Sequence, residues 1–183
     1  MPLADQLTLA RIACAPIVVV LFSVNFTNHD YWGTVVFCVA MSTDWFDGRV
    51  ARRSGRTTSF GSLLDPVADK VLVLATLIVL LDAGVFPAWM VAAIVARELL
   101  VSGLRLAALE RGVVIAARDL GKLKTWSQAV AAAAGGLAAA GAWSTSVSWW
   151  LLLVALVLTW VSGLDYARSA PSVLRAPRAV VPS

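Results

Sequence analysis

Six stretches of this chain are apolar over about the length an α-helix needs to cross the roughly 30 Å hydrocarbon core of a bilayer, some 20 residues each. They fall at about 7–26, 32–50, 66–84, 87–107, 125–142 and 147–167. Such spans would consume about 120 residues, most of a chain of 183. Composition agrees. Hydrophobic residues make up 60% of the sequence and charged residues only 14%, against roughly 25% charged in an ordinary soluble domain. A soluble globule, a disordered chain and a disulfide scaffold are all excluded on this reading. The expected fold is all-α, a polytopic membrane protein of six transmembrane helices. It forms one integral membrane domain over 1–183, with a basic, proline-containing tail at 168–183.

Charge sets the expected topology. Fifteen Lys and Arg against eleven acids give a formal charge of +4. In a membrane protein this points to cytoplasmic loops and anionic lipid rather than to nucleic acid. Arg49, Arg52, Arg53 and Arg56 end or follow the second span, and Arg105, Arg111, Arg118, Lys122 and Lys124 end or follow the fourth. The gaps near 25–33, 82–88 and 142–149 hold no Lys or Arg. Both termini and the two basic loops are therefore expected in the cytoplasm. Five of the eight tryptophans (Trp32, Trp89, Trp143, Trp149 and Trp150) then gather at the outer boundary as an aromatic belt. The first apolar run lacks the basic lead and cleavage site of a removable signal peptide and reads as a retained signal anchor. Cys14 and Cys38 lie inside apolar runs without metal-site spacing and read as packing residues. The fifth span is almost entirely Ala and Gly from Ala131 to Ala142. That composition lets helices approach closely, within the bundle or across a dimer face. Pro66 and Pro87 are placed at the first turns of the third and fourth helices.

One segment resists the membrane logic. Asp44, Asp47, Asp65 and Asp69 lie near the ends of apolar spans, where carboxylates are costly and usually functional. Asp44 and Asp47 are i, i+3. Gly48, Ala51 and Arg52 follow at +4, +7 and +8 from Asp44, all on one helical face. Asp65 and Asp69 are i, i+4, with Gly61 one turn before Asp65. Two helices joined by a short basic loop can bring the four carboxylates around one point. Their mutual repulsion at a low-dielectric boundary calls for hard divalent cations. All-oxygen ligation fits Mg²⁺ or Mn²⁺ better than zinc, and Mg²⁺ commonly binds substrate phosphates. The spacing alone carries as far as phosphoryl transfer on a lipid at the cytoplasmic interface.

The string Asp44-Trp-Phe-Asp47-Gly48-Arg-Val-Ala51-Arg52, then eight residues, Gly61, three residues, Asp65, three residues and Asp69 resembles the signature of the CDP-alcohol phosphotransferases at all eight fixed positions. The stretches Leu7–Arg11, Ala96–Arg105 and Gly121–Gln128 resemble its bacterial phosphatidylglycerophosphate synthase branch. The resemblance implies the six-helix fold of that family, commonly as a homodimer, in a bacterial inner (plasma) membrane with a cytoplasmic active site. It implies CDP-diacylglycerol as donor and sn-glycerol 3-phosphate as acceptor, with phosphatidylglycerophosphate and CMP as products. Asp44, Asp47 and Asp65 would hold the metals, two ions of Mg²⁺ or Mn²⁺. Asp69 would be the general base, with a metal contact of its own. Gly48, Ala51, Arg52 and Gly61 would receive the CDP end of the donor. The acceptor phosphate needs cations, for which Arg97, Arg105, Arg118, Lys122 and Lys124 are the candidates. Arg97, next to Glu98, also fits a buried ion-pair network, and Arg118, Lys122 and Lys124, in the second cytoplasmic loop, also fit a plain positive-inside loop. The short N-terminal arm departs from many relatives. The same site with another acceptor, phosphatidylglycerol or an inositol phosphate, stays open, as does a cation transporter with its acids displaced to one interface.

Overall fold

The computed structural model describes the backbone over residues 3–54, 59–110 and 119–174, and side chains over 9–43, 70–108 and 123–165. Those residues form six helices and no strand. They are α1 (Leu3–Ser23), α2 (His29–Ser54), α3 (Ser59–Asp82), α4 (Ala88–Glu110), α5 (Asp119–Ala139) and α6 (Thr145–Leu174). Each expected span finds its helix, but most helices begin or end outside the apolar windows. A hydropathy window stops where polar residues begin, whereas helical hydrogen bonding continues through them. α3 therefore starts at Ser59, and Pro66 stands inside the helix, not in its first turn. α5 starts at Asp119, so Lys122 and Lys124 are helical and not in a loop. α6 continues to Leu174, through the first part of the expected tail.

The turns at one end are sharply specified. Gly84 and Gly141 have φ of +75° and +71°, a left-handed conformation that glycine adopts without penalty. At each, two backbone bonds close the preceding helix: Val85 N–H to Leu80 O at 3.0 Å and Gly84 N–H to Leu81 O at 3.0 Å. At the second turn the bonds run from Ala142 to Leu137 at 2.9 Å and from Gly141 to Ala138 at 3.0 Å. These paired bonds satisfy the last carbonyls of α3 and α5. Pro87 stands just before α4, where its missing N–H costs nothing, and its carbonyl accepts the Met90 amide at 3.1 Å.

The helices alternate in direction. The start of α2 meets the end of α1 where Gly33 faces Phe22, and meets the end of α5 where Gly136 faces Thr34. The α3–α4 turn reaches the same end through Phe86, which covers Gly135. Away from that end the first half of α5 meets the middle of α4 and of α6. The core between them is aliphatic and aromatic, with Val18, Phe37, Leu72, Leu77, Leu80, Met90, Ile94 and Leu152 essentially inaccessible. Cys14 and Cys38 are free thiols packed against this core, as expected of packing residues.

The outside of the bundle is also apolar. Ile17, Val20, Val39, Ile78, Leu99, Leu100, Val154 and Val157 are each at least half exposed. So are Trp32, Trp89, Trp143 and Trp150, all near the starts of α2, α4 and α6. Among the described residues one helical segment, Thr145–Asp165, is long and apolar enough to cross a membrane. A shorter apolar stretch is Leu9–Ser23.

Candidate active site at the polar end of the bundle

Helix α2 runs unbroken through Asp44, Asp47, Gly48, Ala51 and Arg52, and α3 carries Gly61, Asp65 and Asp69. The short connection between them falls within the eight-residue spacer of the signature. The i, i+3 and i, i+4 relations of the carboxylates are thus realised on helices. The side chains of these eight residues, and that of Lys122, lie outside the described residues, as does all of Arg118. Among the described residues no three carboxylate, thiol or imidazole groups converge.

The described part of this end is organised around Glu98. It is 2% exposed and lies in the middle of α4. Its Oε1 accepts from Lys124 Nζ of α5, from Arg97 Nη1 at 3.2 Å and from Gln128 Nε2 at 3.4 Å. Its Oε2 accepts no hydrogen bond among the described residues and lies 3.6 Å from Lys70 Nζ of α3. Two further bonds bring in α6: Arg97 Nη2 donates to Ser162 Oγ at 3.1 Å, and Gln128 Nε2 donates to Thr159 Oγ1 at 2.8 Å. Lys70 Nζ donates to Ser102 Oγ at 2.6 Å, and that hydroxyl donates to the Glu98 carbonyl at 2.6 Å. One carboxylate therefore joins α3, α4 and α5, with α6 tied in through Arg97 and Gln128.

The arrangement follows from helix periodicity. Glu98, Ser102 and Arg105 are at i, i+4 and i+7 on α4 and share a face. Lys124 and Gln128 are i, i+4 on α5. Arg97 turns the other way, onto α6, where Gly163 makes room: a Cβ there would stand 2.8 Å from Arg97 Nε. A charge buried at such a boundary must be paired and hydrogen-bonded. Arg97 and Lys124, 4% and 6% exposed, are each paired with Glu98, and Arg97 also donates to Ser162.

Of the five sequence candidates for the acceptor phosphate, the structure brings Arg97 and Lys124 together on one carboxylate. Arg105 is half-buried on the same face of α4 and close enough to Lys70 to repel it. The expectation that Arg97 pairs with Glu98 in a buried network is met. Sequence reasoning passed over Lys70. Its signal was present: a lysine directly after the last signature aspartate, at the head of the apolar run Val71–Leu81.

Comparison with known proteins gives this end of the molecule its family. Residues 1–161 match the family described as CDP-alcohol phosphatidyltransferase. The chain belongs to that family. Among its relatives is a Bacillus subtilis (strain 168) protein, 42% identical over 148 residues, covering 72% of this chain and 75% of the relative. Proteins of Escherichia coli (strain K12) and Shigella flexneri serotype 5b are each 39% identical over 170 residues, covering 90% of this chain and 92% of theirs. All three are named CDP-diacylglycerol–glycerol-3-phosphate 3-phosphatidyltransferase.

Proposed function

We propose that this chain transfers the phosphatidyl group of CDP-diacylglycerol to sn-glycerol 3-phosphate, forming phosphatidylglycerophosphate and CMP in phospholipid biosynthesis. The observation that carries the reading is the complete eight-position signature on α2 and α3 in a chain whose relatives, over 90% of its length, bear that activity in their names.

In the reaction a glycerol hydroxyl oxygen attacks the phosphorus that carries diacylglycerol. A new P–O bond forms, the P–O bond to CMP breaks, and CMP leaves with the electron pair. Asp69 accepts the hydroxyl proton; a carboxylate is ionised near neutral pH and can do so without a large pKa shift. Asp44, Asp47, Asp65 and Asp69 offer only oxygen ligands, a donor set suited to two Mg²⁺ or Mn²⁺ ions. Such ions supply neutralisation of the donor diphosphate and of the leaving phosphate. Gly48, Ala51 and Gly61 leave room for the CDP moiety, and Arg52 braces that end. Arg97, Arg105, Arg118, Lys122 and Lys124 give the cytoplasmic end the positive field that draws in a phosphorylated acceptor.

The same reading makes all six helices transmembrane, with both termini and the active site on the cytoplasmic side of a bacterial inner membrane, and the protein a homodimer. The apolar exterior and the tryptophans at the starts of α2, α4 and α6 support the membrane placement. Purified protein in detergent, given CDP-diacylglycerol, Mg²⁺ and labelled glycerol 3-phosphate, should move label into organic-extractable lipid, and chelation should stop it. Label left wholly in the aqueous phase by folded protein would remove the assignment.

A further inference from the structure

The cations around Glu98 are not equivalent. Arg97 and Lys124 are buried and hydrogen-bonded to its Oε1. An incoming anion can reach them only by breaking the network that joins α4, α5 and α6. Lys70 is placed differently. A third of its side chain is exposed, at 33%. Among the described residues its one hydrogen bond goes to a neutral hydroxyl, Ser102 Oγ. Its approach to Glu98 is 3.6 Å, beyond hydrogen-bond length. An ammonium has three donors, and among the described residues the other two have no hydrogen-bond acceptor. Ser102 commits its own proton to the Glu98 carbonyl and so presents a lone pair that aims the lysine. Arg105, one turn further along α4, adds a second charge that repels Lys70. Among the described residues Lys70, Arg97 and Lys124 meet on one carboxylate, Glu98, a local excess of positive charge that a bound anion would relieve.

Resting on the function proposed above, we infer that Lys70, held by Ser102 and flanked by Arg105, is the cation that grips the phosphate monoester of the acceptor, while Arg97 and Lys124 position the helices around it. Lysine binds phosphate as a point charge. Lys70 also follows Asp69 directly on α3, which puts it at the same level of the helix as the base.

The test is steady-state kinetics of CMP release by full-length protein in detergent with Mg²⁺, for wild type, K70M and K70R. Each substrate is varied while the other is saturating, and inorganic phosphate is the competing anion. K70M should raise the KM for glycerol 3-phosphate by about tenfold or more, the usual scale for losing a charged hydrogen-bond partner. It should leave the KM for CDP-diacylglycerol within about twofold and weaken inhibition by inorganic phosphate in parallel. K70R should recover most of the acceptor affinity. If K70M does not survive purification, K70Q, which keeps a donor to Ser102, serves in its place. An unchanged acceptor KM in K70M overturns the inference, as does an equal rise in both KM values, which would put Lys70 on the donor diphosphate. Loss only of stimulation by added anionic lipid, with the acceptor KM intact, would assign Lys70 to a lipid headgroup and also overturn it. If wild-type protein releases no CMP with glycerol 3-phosphate, the function proposed above falls instead.

Discussion

The two halves of α5 are held by opposite means. Its first turns are secured by charge: Lys124 and Gln128 converge with Arg97 on Glu98, and Gln128 crosses to Thr159. Its last turns are secured by the absence of side chains. Phe86 lies over Gly135, where a Cβ would stand 2.5 Å from the ring, and Thr34 lies over Gly136, where a Cβ would stand 2.1 Å from Oγ1. Nearby, Ser148 Oγ donates to the Ala134 carbonyl at 2.9 Å. In the membrane placement proposed above, lipid tails are as apolar as the bundle interior, so burial of apolar surface does little to hold helices together, and close packing and hydrogen bonds must do it. The small-residue end uses the close approach. The polar end spends its hydrogen bonds on a buried carboxylate, an expensive way to join helices that makes sense where charge is needed for chemistry.

The contrast can be broken by substitution, and the largest effect should come from the signature. D69N keeps the shape of the side chain and removes the base. Turnover should fall by roughly 10²–10⁴-fold, the usual worth of a positioned general base, while the thermal midpoint in detergent stays near wild type. Activity within a fewfold of wild type would take Asp69 out of that role. Next, E98A should destabilise the bundle by about 3–5 kcal/mol, because it strands buried cations without their partner. Unfolding in detergent followed by circular dichroism would show it. At the other end G135V should cost about 1–3 kcal/mol by overpacking against Phe86, without altering either substrate KM in the protein that remains folded. A G135V enzyme with wild-type stability but a raised acceptor KM would erase the distinction between the two ends. The smallest effect is expected of T159V, which removes one hydrogen bond of Gln128 and should cost about 1 kcal/mol.

Much of this was legible in the sequence, for identifiable reasons. Six apolar runs with an alternating charge pattern yield six helices in the right order. The signature spacing demands helix through Asp44–Arg52 and again at Asp65–Asp69, and both are helical. The Ala/Gly stretch of α5 was readable as close packing, but not its partners. Phe86 comes from the α3–α4 turn and Thr34 from α2, and only the tertiary fold brings them together. Helix starts were the weakest reading. Asp119–Lys124 and Ser59–Asp65 interleave charged, polar and glycine residues with leucine or phenylalanine, so a hydropathy window passes over them although they are helical. That error placed Lys124 in a loop, when it is a buried residue of α5 bonded to a carboxylate 26 positions away. Lys70 was hidden by its surroundings: a lysine at the head of an apolar run has no meaning until Ser102 and Glu98 of α4 are seen beside it.

The most direct measurement is CMP release by the purified, detergent-solubilised protein supplied with CDP-diacylglycerol and Mg²⁺, with glycerol 3-phosphate, phosphatidylglycerol or inositol 1-phosphate in separate reactions. Release with glycerol 3-phosphate alone is the expected result. Release with phosphatidylglycerol or inositol 1-phosphate but not with glycerol 3-phosphate would contradict it, leaving the carboxylates of α2 and α3 with their chemistry but with a different acceptor.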